Sequence, residues 1–309
     1  MASVLHAYDT KMNLRLALDK ALQQERINFL LTNRIPRRSL TRFMGWFSQI
    51  ENPWICRASI ALWRLFADVD LSDARKTRFR SLHDCFIREL KAGARPLDSD
   101  PGTLVSPCDA IVGATGQIVD GAVLQAKGRP YRLMELLGDE ELVRYYARGW
   151  YATLRLTAGM YHRFHAPYGC RVEQVNYVPG DTWNVNPTAL KRVESLFCRN
   201  ERATLRCRLA SSDHLITLVP IAAVLVASIR LHFLDLLLHL KYRGPNAIAC
   251  DANLGKGEEM GWFQHGSTII VFAPHGFTFC EGILEGAQVR MGQALLRLPQ
   301  VAGSPGMVP

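Results

Sequence analysis

The chain has 309 residues, enough for one large domain or two ordinary ones with a sizeable core. Its hydrophobic content of 48% beside 21% charged residues excludes a disordered or collagen-like chain. The net charge of +9 asks for an anionic partner, either nucleic acid or an acidic membrane surface. That charge is concentrated: residues 26–95 hold 14 Lys or Arg against 6 Asp or Glu, so this stretch supplies +8 by itself. A basic docking segment joined to a near-neutral working region is the organisation this implies.

Cysteines at 56, 85, 108, 170, 198, 207, 250 and 280 form no Cys-x-x-Cys pair, and no His pair joins them at zinc-site spacing. Scattered reduced thiols are expected, with no disulfide framework and no metal. Asp9, Lys11, Arg15, Asp19, Lys20 and Glu25 break up the first 30 residues, so no secretory signal is expected there.

Taken in chain order, residues 1–30 predict a modestly amphipathic helix. From Phe29 to Phe66, aromatics (Phe43, Trp46, Phe47, Trp54, Trp63) interleave with Arg37, Arg38 and Arg42. Helices broken at Pro36 and Pro53 fit this pattern. Such a surface suits a lipid headgroup layer, where rings insert and guanidinium groups meet phosphate. The same aromatics could equally pack a helical subdomain against the rest of the chain. Ser81–Leu90 predicts another short helix, and the turn-rich Ala94–Pro101 marks a boundary between a helical region, 1–95, and a second region, 96–309.

Beyond that boundary short strands are predicted at Ala110–Val112, Gly116–Val119, Tyr151–Leu156, Val172–Val178, Ala203–Leu209, Leu215–Leu218, Ala222–Ile229, Ser267–Phe272 and Val289–Arg290. The fold class is therefore α+β: a helical, basic N-terminal region followed by a β-rich catalytic domain. Leu215–Ile229 is an apolar run of 15 residues, short of the roughly 20 that a spanning helix needs. Its Val and Ile content suits a buried strand.

Two stretches could carry chemistry. Tyr161-His162-Arg163-Phe164-His165-Ala166-Pro167 holds two histidines at i and i+3, either on one face of a helical turn or together in a loop. They make a plausible acid/base centre. Gly261-Trp262-Phe263-Gln264-His265-Gly266-Ser267-Thr268 runs into an apolar strand. No nucleophile elbow, dinucleotide fingerprint or phosphate loop is present.

Together these stretches resemble the phosphatidylserine decarboxylase proenzymes, the short bacterial, pyruvoyl-dependent type. Further blocks similar to that family are Ser106-Pro107-Cys108-Asp109-Ala110, Leu124-Gln125-Ala126-Lys127-Gly128 and Tyr177-Val178-Pro179-Gly180-Asp181. So are Leu196-Phe197-Cys198-Arg199-Asn200-Glu201-Arg202 and Lys256-Gly257-Glu258-Glu259-Met260-Gly261, all in family order between about residues 29 and 295.

The resemblance implies self-cleavage between Gly266 and Ser267, giving a β chain 1–266 and an α chain 267–309. Ser267 would attack the Gly266 carbonyl, with His165 as base oriented by Asp109, and would become a covalent pyruvoyl cofactor. His162 would assist decarboxylation of phosphatidylserine to phosphatidylethanolamine. Implied partners are phosphatidylserine in the membrane, an anionic lipid surface and the sister chain of the same precursor, with a homodimer compatible and nucleic acid not expected. The implied location is peripheral, on the cytoplasmic face of the inner membrane. A membrane-binding homologue that does not process, or a decarboxylase of another serine phospholipid, are the alternatives. The chain departs from the family pattern at His265, where Leu is usual, and at Ala158-Gly159-Met160 in place of Pro-x-Asp. It departs again at Pro220-Ile221 and at Leu231-His232-Phe233-Leu234.

Overall fold

The computed structural model describes residues 36–126, 129–224, 228–264 and 267–299. The helix expected over residues 1–30 lies outside the described residues, as do Lys127, Gly128, His265 and Gly266.

The helical segments expected to be divided at Pro36 and Pro53 do start there. Pro36 precedes the helix Arg37–Phe47, and Pro53 opens the helix Pro53–Phe66, where a missing N–H costs nothing. Asn52 caps the second helix by accepting from Trp54 N–H at 2.9 Å and Ile55 N–H at 3.2 Å. The third helix is shorter than the sequence suggested, Leu82–Phe86, capped by Ser81. These helices pack on one another and on the β-rich body through partly buried groups. Trp63 stacks on Phe86 at 5.4 Å, and Arg37 reaches Asp181 at 2.7 Å while lying 3.7 Å over the Trp183 ring. Arg37 therefore faces the protein and not a lipid layer.

The body is built on an eight-stranded sheet whose neighbours are all antiparallel. Its spatial order is Ala247–Leu254, Cys170–Val178, Arg202–Leu209, Leu215–Ile221, Ser267–Ala273, Trp150–Leu156, Ala110–Gln117 and Gln288–Val289. A smaller sheet of four strands, Leu236–His239, Ser228–Leu231, Glu259–Phe263 and Arg163–His165, stands beside it. Leu215–Ile221 is buried at every residue, as its composition requires. It carries Pro220 without a break: the ladder to Arg202–Leu209 steps from Ile221 to Leu218, lapsing where proline has no N–H to give. The strand expected over Ala222–Ile229 begins only at Ser228.

The strand Ser267–Ala273 is interior. It pairs over its full length with Trp150–Leu156, from Ser267↔Leu156 to Ala273↔Trp150, and on its other edge with Leu215–Ile221. Residues 269–273 are fully buried.

The loop Thr157–Met160 joins this sheet to the helical region. A Cβ at Gly159 would run into the backbone carbonyl of Asp68, so only glycine allows this approach. Gly159→Ala should therefore push the loop off the helical region and cost about 1–3 kcal/mol. A urea midpoint equal to that of the parent chain would show that the contact yields freely.

Candidate active site

The histidine segment is extended, not helical and not a loop: Arg163–His165 is a strand paired with Glu259–Phe263. His162 just precedes it and His165 closes it. The two rings consequently meet different partners. The fully buried His162 packs on Phe86 with centroids 3.9 Å apart, and its Nδ1 lies 2.8 Å from the Met160 carbonyl. His165 places Nδ1 2.9 Å from the Gly257 carbonyl and Nε2 3.0 Å from the Tyr161 hydroxyl. A carbonyl only accepts, so Nδ1–H donates to Gly257 and the neutral ring accepts the Tyr161 O–H at Nε2. Burial drives the His165 pKa down to about 4, and the nearby Arg163 charge adds to the fall. The Gly257 hydrogen bond and the Asp109 charge oppose it. At neutral pH the ring is an uncharged base.

Asp109 lies in the same neighbourhood, because His165 N–H donates to the Pro107 carbonyl at 2.8 Å. It was expected to orient His165, but no hydrogen bond joins the two. Its carboxylate receives Arg95 Nε at 2.9 Å and Nη2 at 2.6 Å, together with the Met291 N–H at 2.9 Å. Arg95 also reaches Asp73 at 3.0 Å. The Gly257 carbonyl is what fixes the His165 tautomer.

Two further arginines surround the histidines. Arg163 forks onto Glu259 at 2.8 and 3.0 Å and donates to the Ile87 carbonyl at 2.8 Å. Arg88, only 5% exposed, gives Nη2 to the carbonyls of Gly159 at 2.9 Å and Met160 at 3.2 Å. Its Nε and Nη1 have no hydrogen-bond partner among the described residues. Met160 stands where the family pattern has an acid, and its carbonyl serves Arg88 and His162 together. Arg88, Arg95, Tyr161 and Gly257 were not legible as site residues. For Arg88 and Arg95 the only signal was an excess of arginine in residues 26–95, which reads equally well as a solvated face; Tyr161 and Gly257 lay inside the motif blocks but carried no role there.

Ser267 opens the interior strand, with its backbone in register with Leu156. Thr268 beside it is fully buried, with Oγ1 unpartnered among the described residues. Two cavities adjoin this region and share Phe66, Thr157 and Ala158. One, of 540 Å³, is polar and reaches Arg88, Arg95, Asp109 and Tyr161. The other, of 580 Å³, is walled by apolar side chains including Phe47, Trp63, Phe66, Phe86 and Leu156.

A sequence profile of the phosphatidylserine decarboxylase family matches residues 82–297. The chain is 35% identical to a phosphatidylserine decarboxylase proenzyme of Aliivibrio salmonicida, over 83% of this chain and 93% of that one. It is 36% identical to a proenzyme of the same description from Pseudomonas fluorescens, over 86% and 96% of the two chains. For one from Shewanella baltica the identity is 34%, over 90% and 98%. The chain belongs to the phosphatidylserine decarboxylase family.

The His165 environment generates a pH prediction. Its folded pKa, about 4, lies below the ordinary 6.5, so in that interval the unfolded chain binds more protons and stability falls as pH falls. In a Ser267→Ala background, lowering pH from 7 to 5 should cost about 2 kcal/mol more than in the Ser267→Ala/His165→Gln chain. Equal losses in urea titrations of the two would show that His165 is not held neutral by the fold.

Proposed function

We propose that this chain is a self-processing phosphatidylserine decarboxylase that cuts itself between Gly266 and Ser267 and converts Ser267 into a pyruvoyl group. The observation that carries this reading is the position of Ser267, at the head of an interior strand and in register with Leu156, which lines the apolar cavity.

In the first reaction Ser267 attacks the Gly266 carbonyl, converting the peptide bond into an ester. Elimination breaks the ester C–O bond, and hydrolysis of the resulting dehydroalanine releases ammonia and leaves the pyruvoyl group. His165 is suited to accept the serine proton, since burial keeps it neutral and one nitrogen is already committed to Gly257. Asp109 favours the protonated ring through its charge and not through a hydrogen bond. Tyr161, hydrogen-bonded to Nε2, must swing away or relay the proton.

The site's donor set fits a pyruvoyl group. Residue 267 is gripped through its backbone by Leu156, and the Thr268 hydroxyl is a buried donor in need of an acceptor. When formed, that group supplies an electron sink for the pair left by departing carbon dioxide. His162, clamped between Phe86 and the Met160 carbonyl, is positioned to hold or deliver a proton during that reaction. The apolar cavity takes the acyl chains of the substrate.

Membrane attachment is peripheral, on the cytoplasmic face, in this reading. Among the described residues no helix is long and apolar enough to cross a membrane. The first two helices instead expose Phe43, Trp46, Trp54, Leu62 and Phe66, with Trp54 78% exposed. Arg42, Arg57 and Arg64 are exposed beside them. Rings and guanidinium groups together suit a headgroup layer of anionic lipid.

On a denaturing gel the purified protein should run as two chains, 1–266 and 267–309, the smaller lacking one ammonia by mass and blocked to Edman degradation. The two should co-elute in native buffer, because residues 267–273 pair on one edge and residues 268–272 on the other. Ser267→Ala should stay intact; a normally cut Ser267→Ala chain would refute the mechanism. His165→Ala should accumulate uncut and Asp109→Asn should cut slowly. His162→Ala should cut yet lose about 10²–10⁴-fold in carbon dioxide release. Swapped behaviour of the two histidines would reverse their roles.

Binding to vesicles rich in anionic lipid should weaken at least several-fold in Trp46→Ala/Trp54→Ala, and weaken further with added salt. Arg37→Ala should instead lower thermal stability, since Arg37 pairs with Asp181. Vesicle binding indifferent to both the tryptophan pair and salt would remove these helices as the docking surface.

A further inference from the structure

Arg155 lies in the strand Trp150–Leu156, opposite Thr268 and next to Leu156, the register partner of Ser267. It lines the 580 Å³ cavity, whose other members are mostly apolar. Unlike Arg88, Arg95 and Arg163, it makes no hydrogen bond or ion pair with any described residue, although it is half-buried. Burial alone shifts its pKa, downward, and no neighbouring charge contributes. A guanidinium in such a place carries a desolvation cost that nothing in the described protein offsets. It remains charged under all ordinary conditions, so an anion is the natural complement.

The established chemistry of a phosphoserine lipid offers two anions near the cut-site strand, the carboxylate and the phosphodiester. An ion pair with the carboxylate would hold the ground state and weaken as carbon dioxide forms, opposing the reaction. The phosphodiester keeps its charge throughout. In the lipid it also stands between the reacting carbon, one methylene and one ester oxygen away, and the acyl chains. Arg155 has the matching location, between the reacting strand and the apolar cavity.

We propose that Arg155 is the headgroup anchor of the substrate site, its guanidinium receiving the phosphodiester oxyanion while the acyl chains fill the cavity around it. This rests on the lipid decarboxylase reading above. Arg155 is a positioning residue: it acts equally on bound substrate and transition state.

The test uses short-chain phosphatidylserine dispersed in neutral detergent. In the uncut Ser267→Ala chain, adding Arg155→Met should raise the Kd about 10–100-fold, as loss of a charge-assisted contact does. Short-chain phosphatidylglycerol, which has the phosphodiester but no carboxylate, should lose the same factor. Inorganic phosphate should not compete at low millimolar concentration, because it lacks the acyl chains. In the processed enzyme Arg155→Met should raise KM by a similar factor with kcat changed less than about threefold, and Arg155→Lys should recover part of the loss. Removing an unpaired, half-buried charge should leave the melting temperature equal or higher, whereas a structural arginine would lower it.

Unchanged Kd values overturn the proposal. A loss confined to phosphatidylserine, or a rise in kcat, assigns Arg155 to the carboxylate and also overturns it. Competition by inorganic phosphate would make the site one for free phosphate. Should Arg155→Met fail to fold, the same Kd comparisons with Arg155→Gln and Arg155→Lys in the Ser267→Ala chain decide, and unchanged values there overturn the proposal equally. A wild-type chain that binds these lipids through Arg155 but neither cuts nor releases carbon dioxide would defeat the decarboxylase reading and leave the anchor standing.

Discussion

The strand Ser267–Ala273 is hydrogen-bonded along both edges, and much of the molecule is arranged around that constraint. An interior strand cannot leave without breaking two ladders and exposing Ile269, Ile270, Val271, Phe272 and Ala273, all fully buried. A chain cut just before such a strand keeps its new end fixed in place. The covalent bond is dispensable because non-covalent register has taken over its positional role. In the proposed reading this also explains why the reacting residue sits at the first position of the strand, where the backbone that follows is held in register.

Arginines tie the helical region to this core. Arg37 pairs with Asp181, Arg88 with the Gly159 and Met160 carbonyls, and Arg95 with Asp109 and Asp73. Each is a planar fork that can satisfy two acceptors at once, which makes arginine easier than lysine to place in a partly buried interface. The Arg95–Asp109 pair, with both side chains 10% exposed, gains from low dielectric but depends on the Met291 N–H to complete it. The helices that face a lipid layer in the proposed reading are thus braced directly against the residues around His162 and His165.

Burial sets charge states both at the centre and in the core away from it. It lowers His165 to about 4 and raises Glu201 to about 7, where Tyr177 donates to the carboxyl group at 2.9 Å. Both shifts favour neutral forms, as desolvation always does. Burial raises the Glu259 pKa as well, and the ion pair with Arg163 opposes that rise. The result is a neutral base held within a frame of compensated charges.

The sequence by itself determined the α+β class, the family and the main buried strands. It also determined the helix divisions at Pro36 and Pro53. These are short-range properties: composition, period-two apolar runs, prolines and ordered motif blocks survive without knowledge of what lies across the chain. Net charge was legible as a quantity but not as a direction, so Arg37 read as lipid-facing although it points at Asp181. Likewise Tyr161-His162-Arg163-Phe164-His165 read as a helical turn or loop, because nothing local announces that Glu259–Phe263 will pair with it as a strand. Only the tertiary structure decided that Arg95 takes the Asp109 carboxylate, that Gly257 orients His165 and that Arg155 stands unpaired in an apolar wall. The reason is physical: these contacts join residues from 14 to 92 positions apart, or depend on a partner's absence, and neither can be encoded in a local pattern.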